Sequence, residues 1–139
     1  MRREQDSRYQ EAPILTKAEF TEMLNELANA WERRDYGAAM DFFSEDIRYA
    51  DPTRYRMASR AELLQFFRDD GGYPQHTEWR LMIFDQDQQV GAAEYTYTGT
   101  HQYHGVVVIR VGDGFITHWR EYQHIDSRAW EDFASGTAF

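Results

Sequence analysis

The chain has 139 residues, which suits one domain able to bury roughly two thirds of its unfolded surface. It carries 15 Lys+Arg against 24 Asp+Glu, a net charge of −9, and shows no basic run with interleaved aromatics, so neither nucleic acid nor an anionic membrane surface is expected as a partner. It has no cysteine, which excludes disulfides, thiolate nucleophiles and cysteine-type zinc sites, while 16% aromatic residues ask for a large core or a lined pocket.

The first residues, "MRREQDSRYQEAP", are polar and lack the apolar stretch of a secretory leader. No apolar run approaches the ~18 residues of a membrane span. A flexible tail over residues 1–14 is expected, followed by a single domain over 15–135, in a soluble, cytoplasmic protein.

Thr16 and Glu19 have capping-box spacing, and Phe20, Met23, Leu24, Leu27 and Trp31 then recur at helical intervals. A first helix ends near Arg33 or Arg34. Asp35 can cap a second, shorter helix carrying Tyr36, Ala39, Met40 and Phe43 on one face. "EDIRYADP" reads as a short strand stopped by Pro52. Ser59 and Glu62 form a second capping box, opening a third helix through "LLQFFRD" that Gly71-Gly72 stops.

From Thr77 the apolar period falls to two. "TEWRLMIF", "VGAAEYTYTG", "YHGVVVIRV" and "FITHWREYQHI" are four long strands, joined by connections short enough for hairpins. Ser127 is placed to cap a last helical turn through "RAWEDF". Helices followed by an antiparallel meander predict an α+β fold. Three N-terminal helices would pack into the concave face of a curved, cone-shaped sheet and leave a pocket at its mouth.

Five histidines occur without H-x-H or H-E-x-x-H spacing, so no metal site is expected. Ser59 and Ser127 are explained as caps. No G-x-S-x-G, P-loop or dinucleotide fingerprint is present, and no cofactor is expected.

The order of elements, Trp31 and Asp35 closing the first helix, "FFSEDIRYADP" after the second, and "GDGFITHWREY" on the last strand together resemble the SnoaL-like group of the nuclear transport factor 2-like (ketosteroid isomerase-like) superfamily. The resemblance covers about residues 16 to 126. It implies the fold, whereas superfamily members range from steroid isomerases, cyclases, hydrolases and dehydratases to non-catalytic binding modules.

In the steroid isomerases an Asp before Pro at the end of this strand is the general base, and an ungapped match places Asp51 there. The family's two oxyanion donors fall on Leu27 and Val107, neither of which can donate a side-chain hydrogen bond, so steroid isomerisation is not expected. The epoxide hydrolases' Asp-Arg-Asp set is not found, and the match turns Arg110 outward.

The resemblance also sets faces. It turns Trp119, Glu121 and Gln123 inward, and with them Tyr103, Gly105, Val107 and Ile109. A four-residue hairpin loop then turns Glu94, Thr96 and Thr98 inward, and a loop of odd length would turn in Tyr95 and Tyr97 instead. The first register is the one expected, which leaves Tyr95, Tyr97, Val106, Val108 and Tyr122 outside as a homodimer surface.

The expected protein is thus a hydrophobic small-molecule enzyme of isomerase, cyclase, dehydratase or hydrolase type. Asp51 would move a proton, Glu121 or Glu94 would be the second acid, and Trp31, Tyr49, Tyr103, Val107, Trp119 and Gln123 would bind substrate. Asp51 as a plain turn residue, a non-catalytic ligand-binding dimer and a protein-interaction module are the alternatives.

Overall fold

The computed structural model describes residues 13–139. The tail expected over residues 1–14 lies, apart from Pro13 and Ile14, outside the described residues.

Helix α1 spans Lys17–Arg33 and opens with the expected capping box: the Thr16 hydroxyl accepts from Glu19 N–H, and the Glu19 carboxylate accepts from Thr16 N–H. It ends at Arg34, whose backbone turns left-handed at φ 59° and donates to the carbonyls of Ala30 and Trp31. That turn starts α2, Tyr36–Met40, which Asp35 caps by accepting from Ala38 N–H at 3.1 Å. Strand β1 runs Phe43–Asp51, and the short β2, Tyr55–Met57, folds back on it. Ser59 caps α3, Arg60–Arg68.

Strands β3 (His76–Asp85), β4 (Val90–Thr98), β5 (Gln102–Gly112) and β6 (Phe115–Ile125) form the expected antiparallel meander. The sheet is mixed, in the order β2-β1-β6-β5-β4-β3, because β1 joins β6 in parallel. It is curved and unclosed.

The first helix buries Phe20, Leu24, Leu27 and Trp31 against the sheet. Phe20 stacks on Phe84 at 4.4 Å. A Cβ at Gly91 would meet the Phe20 ring at 2.6 Å, so glycine there lets α1 lie close to β4. Past β6, α4 spans Trp130–Ala134 and crosses the outer face, where Phe133 stacks on the buried His104 at 4.3 Å.

Two expectations are corrected. Ser127 does not cap α4: the N-cap is Ala129, with no side-chain bond, and the preceding turn is held by the Asp126 carboxylate accepting from Arg128 N–H at 2.9 Å. The β4–β5 loop is Gly99-Thr100-His101, since Thr98 pairs with Gln102, so its length is odd. That single residue of difference turns Tyr95 and Tyr97 inward and Glu94 outward. Tyr95 lies opposite Gly105, whose missing Cβ leaves room for the phenol: a Cβ there would be 2.9 Å from the hydroxyl.

Candidate functional site

Between the helices and the concave face of the sheet lies a cavity of about 450 Å³. Its walls are mostly aromatic, supplied by Trp31 of α1, Tyr49 of β1, Phe67 of α3, Tyr95 of β4 and Trp119 of β6. Tyr49 and Trp119 are partners across the β1–β6 pair and stack at 5.3 Å. Trp31 meets Trp119 edge-on at 5.7 Å. The indole N–H groups of both tryptophans are buried without a hydrogen-bond partner among the described residues.

Glu121 lines this cavity and is 3% exposed. Its Oε1 accepts from the Tyr95 hydroxyl at 2.7 Å and its Oε2 from the Tyr55 hydroxyl. Burial pushes its carboxyl pKa up, and the two phenols pull it only part of the way back, so the net shift is upward. Tyr55 and Tyr95 are raised in turn, by burial first and by the carboxylate beside them. Gln123 donates to the Tyr95 oxygen at 2.8 Å and accepts from Arg54, so the group is held from both sides.

Asp51 is the main correction. It is 1% exposed, yet it is not one of the cavity-lining residues. Its Oδ1 accepts from Thr53 N–H at 3.1 Å and the Thr53 hydroxyl at 2.8 Å, and its Oδ2 pairs with Arg54 Nε at 3.0 Å. Burial pulls its pKa up, but the Thr53 hydrogen bonds and the Arg54 guanidinium outweigh it, and the net shift is downward. The residue expected to move a proton is instead a turn aspartate in an ion pair. Its partner Arg54 lies over the rings of Tyr55 and Tyr103, 5.2 Å from each centroid, at the cavity rim.

Of the other residues named from sequence, Trp31, Tyr49, Tyr103, Trp119 and Gln123 all line the cavity. Val107 is fully buried in the core without reaching the lining. Glu94 is on the outer face, between Leu81 and Val106 in the sheet, and so is separated from Glu121 by the sheet itself.

Sequence reasoning missed Tyr55 as a cavity residue, because β2 is only three residues long and carries no readable period. It also missed the cavity roles of Tyr36 on α2 and of Asp70 and Gln75 on the connection between α3 and β3. Among the described residues no group of three or more His, Asp or Glu side chains converges as a metal ion would require.

The description "SnoaL-like domain" fits residues 24–119 of the chain. Compared with curated proteins, the chain has no significant match. Among solved structures it resembles a candidate ketosteroid isomerase from Kribbella flavida, with 21% identity, 77% of this chain and 78% of that one covered, and a TM-score of 0.63. An LEH-like epoxide hydrolase from M. tuberculosis shares 19% identity over 74% and 80% of the two chains, with a TM-score of 0.65. A protein of unknown function with a cystatin-like fold from Methylobium petroleophilum shares 15% over 85% and 83%, with a TM-score of 0.71. At these identities the likeness is one of fold.

Proposed function

Because the chain belongs to the SnoaL-like family, we propose that it is a cofactor-independent enzyme acting on a hydrophobic small molecule through one buried carboxylate, Glu121. The observation that carries this is the carboxyl itself: buried, raised in pKa, facing an aromatic cavity and held by two phenols. A carboxyl displaced toward neutrality can take a proton from a substrate carbon or oxygen and return it at another position. That step serves isomerisation, cyclisation, dehydration or hydrolysis. Tyr55 and Tyr95 set its proton affinity, and Gln123 fixes Tyr95.

Tyr49 supplies the hydrogen bond that Leu27 and Val107 cannot. It is 5% exposed, lines the cavity, and its hydroxyl has no partner among the described residues, whereas those of Tyr55 and Tyr95 are engaged. That hydroxyl opens on the cavity, where it can donate to an acceptor oxygen of a ligand. Trp31, Tyr103 and Trp119 form walls for the apolar body. Asp51 acts one step back, by positioning Arg54 at the rim.

A second reading, a non-catalytic binding protein, is favoured by one observation: both oxygens of Glu121 already accept a hydrogen bond. The test is to identify the molecule that co-purifies with the protein by mass spectrometry and incubate it with enzyme in D2O. Deuterium incorporation or conversion that is lost in Glu121→Gln supports the enzyme. Tight binding with no exchange and no conversion supports the binding protein.

The proposal includes a homodimer through the outer sheet face. Tyr95 and Tyr97 no longer belong to that surface, but Val106 and Tyr122 are exposed there at 38% and 47%. Light scattering should give twice the chain mass, and Tyr122→Lys should give the single mass. A cytoplasmic setting remains part of the proposal, since a chain without cysteine needs no oxidising compartment. No helix among the described residues is long and apolar enough to cross a membrane.

A further inference from the structure

A second polar cluster lines the same cavity, and among the described residues no hydrogen bond joins it to the Glu121 group. It is assembled from Tyr36 of α2, Asp70 after α3, Gln75 before β3 and Tyr97 of β4. The Tyr36 hydroxyl donates to Asp70. The Gln75 amide donates to the Tyr36 oxygen and, at 3.2 Å, to Asp70, while its carbonyl accepts from the Tyr97 hydroxyl at 2.9 Å. From outside, Arg34 Nε pairs with Asp70 at 3.2 Å and Gly72 N–H donates to it at 2.7 Å.

These contacts keep Asp70 charged. Burial raises its pKa, but Tyr36, Gly72 and Arg34 together lower it below the usual carboxylate range. Tyr36 is pushed up to about 12, by burial first and then by Asp70, and so stays a neutral donor.

Counting donors shows what the cluster can still do. Both phenol hydrogens and both amide hydrogens of Gln75 are spent within it. What remains is lone pairs, above all on the Tyr97 oxygen, which accepts from nothing among the described residues while its ring lines the cavity. The cluster therefore offers acceptors only. The Glu121 group is anchored on Tyr95, two residues from Tyr97 on the same strand, which spaces the two anchors by roughly 7 Å at the backbone.

We propose that Tyr97, held by Gln75 and the Tyr36–Asp70 pair, is a specificity-determining subsite for a hydroxyl or amine at the far end of the ligand. The ligand is then a flat apolar body with a reacting group at one end and a hydrogen-bond donor at the other. This rests on the reading that the reacting end lies at Glu121.

Three probes of one shape test it by isothermal titration: 2-acetylnaphthalene, its 6-hydroxy derivative and its 6-methoxy derivative. The hydroxy compound should bind about tenfold more tightly than either of the others, since only it brings a donor. Tyr97→Phe should reduce that preference to within about twofold. Glu121→Gln should shift all three affinities together and leave the preference in place. Gln75→Met, which releases the Tyr97 hydroxyl, should weaken the preference even if Tyr97→Phe does not fold.

Equal binding of the three compounds by the native protein overturns the proposal and leaves the pocket reading standing. A preference that survives Tyr97→Phe but vanishes in Glu121→Gln also overturns it, because the hydroxyl then sits at the other end. Failure of all three to bind overturns both the proposal and the reading beneath it.

Discussion

The turn at Asp51 and the cavity floor at Glu121 each bury a carboxylate almost completely, and the two respond in opposite directions. Both pay the same kind of desolvation. Asp51 receives an N–H, a hydroxyl and a guanidinium, while Glu121 receives two neutral phenols and no cation. At Asp51 the two Thr53 hydrogen bonds and the Arg54 guanidinium together outweigh burial, whereas at Glu121 a deeper desolvation outweighs the two phenols. Burial by itself therefore does not mark the acid that moves protons; its balance against the donors does. Gln123 ties the two regions together, touching Arg54 on one side and Tyr95 on the other.

The largest test of this contrast is Glu121→Gln. It should reduce turnover of any identified substrate by about 100-fold or more, the usual size of a lost general acid or base. Its stability should show the reverse pH behaviour to that of Asp51. A raised folded pKa means the native protein binds the proton more tightly than the unfolded chain. Stability from Glu121 is then full below the unfolded pKa and falls as pH rises through the folded one. Thermal scans against pH should show that decline in the native protein and not in Glu121→Gln; a decline of equal size in both would remove Glu121 as its source.

Asp51→Asn comes next, and it should act on stability. Asn can keep the Thr53 N–H bond but not the charge that faces Arg54, and the loss is about 2 kcal/mol at pH 7. Arg54 is 35% exposed, which keeps the figure below that of a fully buried pair. Because the folded pKa is depressed, the contribution is present above the unfolded pKa and lost as pH falls through the folded value. The native and mutant thermal midpoints should therefore converge in acid. An unchanged midpoint at pH 7 would mean that the ion pair contributes nothing.

Tyr55→Phe and Tyr95→Phe sharpen the other side of the comparison. Each removes a hydrogen bond that lowers the Glu121 pKa, so the acidic limb of the pH–rate profile should move to higher pH in both. A limb that stays in place would show that another group titrates there. The smallest effect is expected from Tyr49→Phe in the ligand-free protein. Removing a hydroxyl that opens on the cavity without a partner among the described residues should leave the thermal midpoint within about 1 °C, while weakening the binding of a ligand that carries an acceptor oxygen. A fall would indicate a partner for the hydroxyl.

The sequence by itself determined the helices and their caps at Thr16, Asp35 and Ser59, the four long strands, and that Trp119, Glu121 and Gln123 share one face, which the family resemblance then turned inward. Those features depend on local propensity and on short periods, which a window of a dozen residues displays. The tertiary structure alone decided the rest. Whether Glu94 or Tyr95 faces the cavity turned on one residue of loop length, and a one-residue change reverses every side chain of a strand. Whether Asp51 is an acid or a turn anchor turned on Thr53 and Arg54, which fold back to bond its carboxylate. Tyr36, Asp70, Gln75 and Tyr97 meet only because α2, the connection between α3 and β3, and β4 close around one cavity, and no spacing in the chain records that closure.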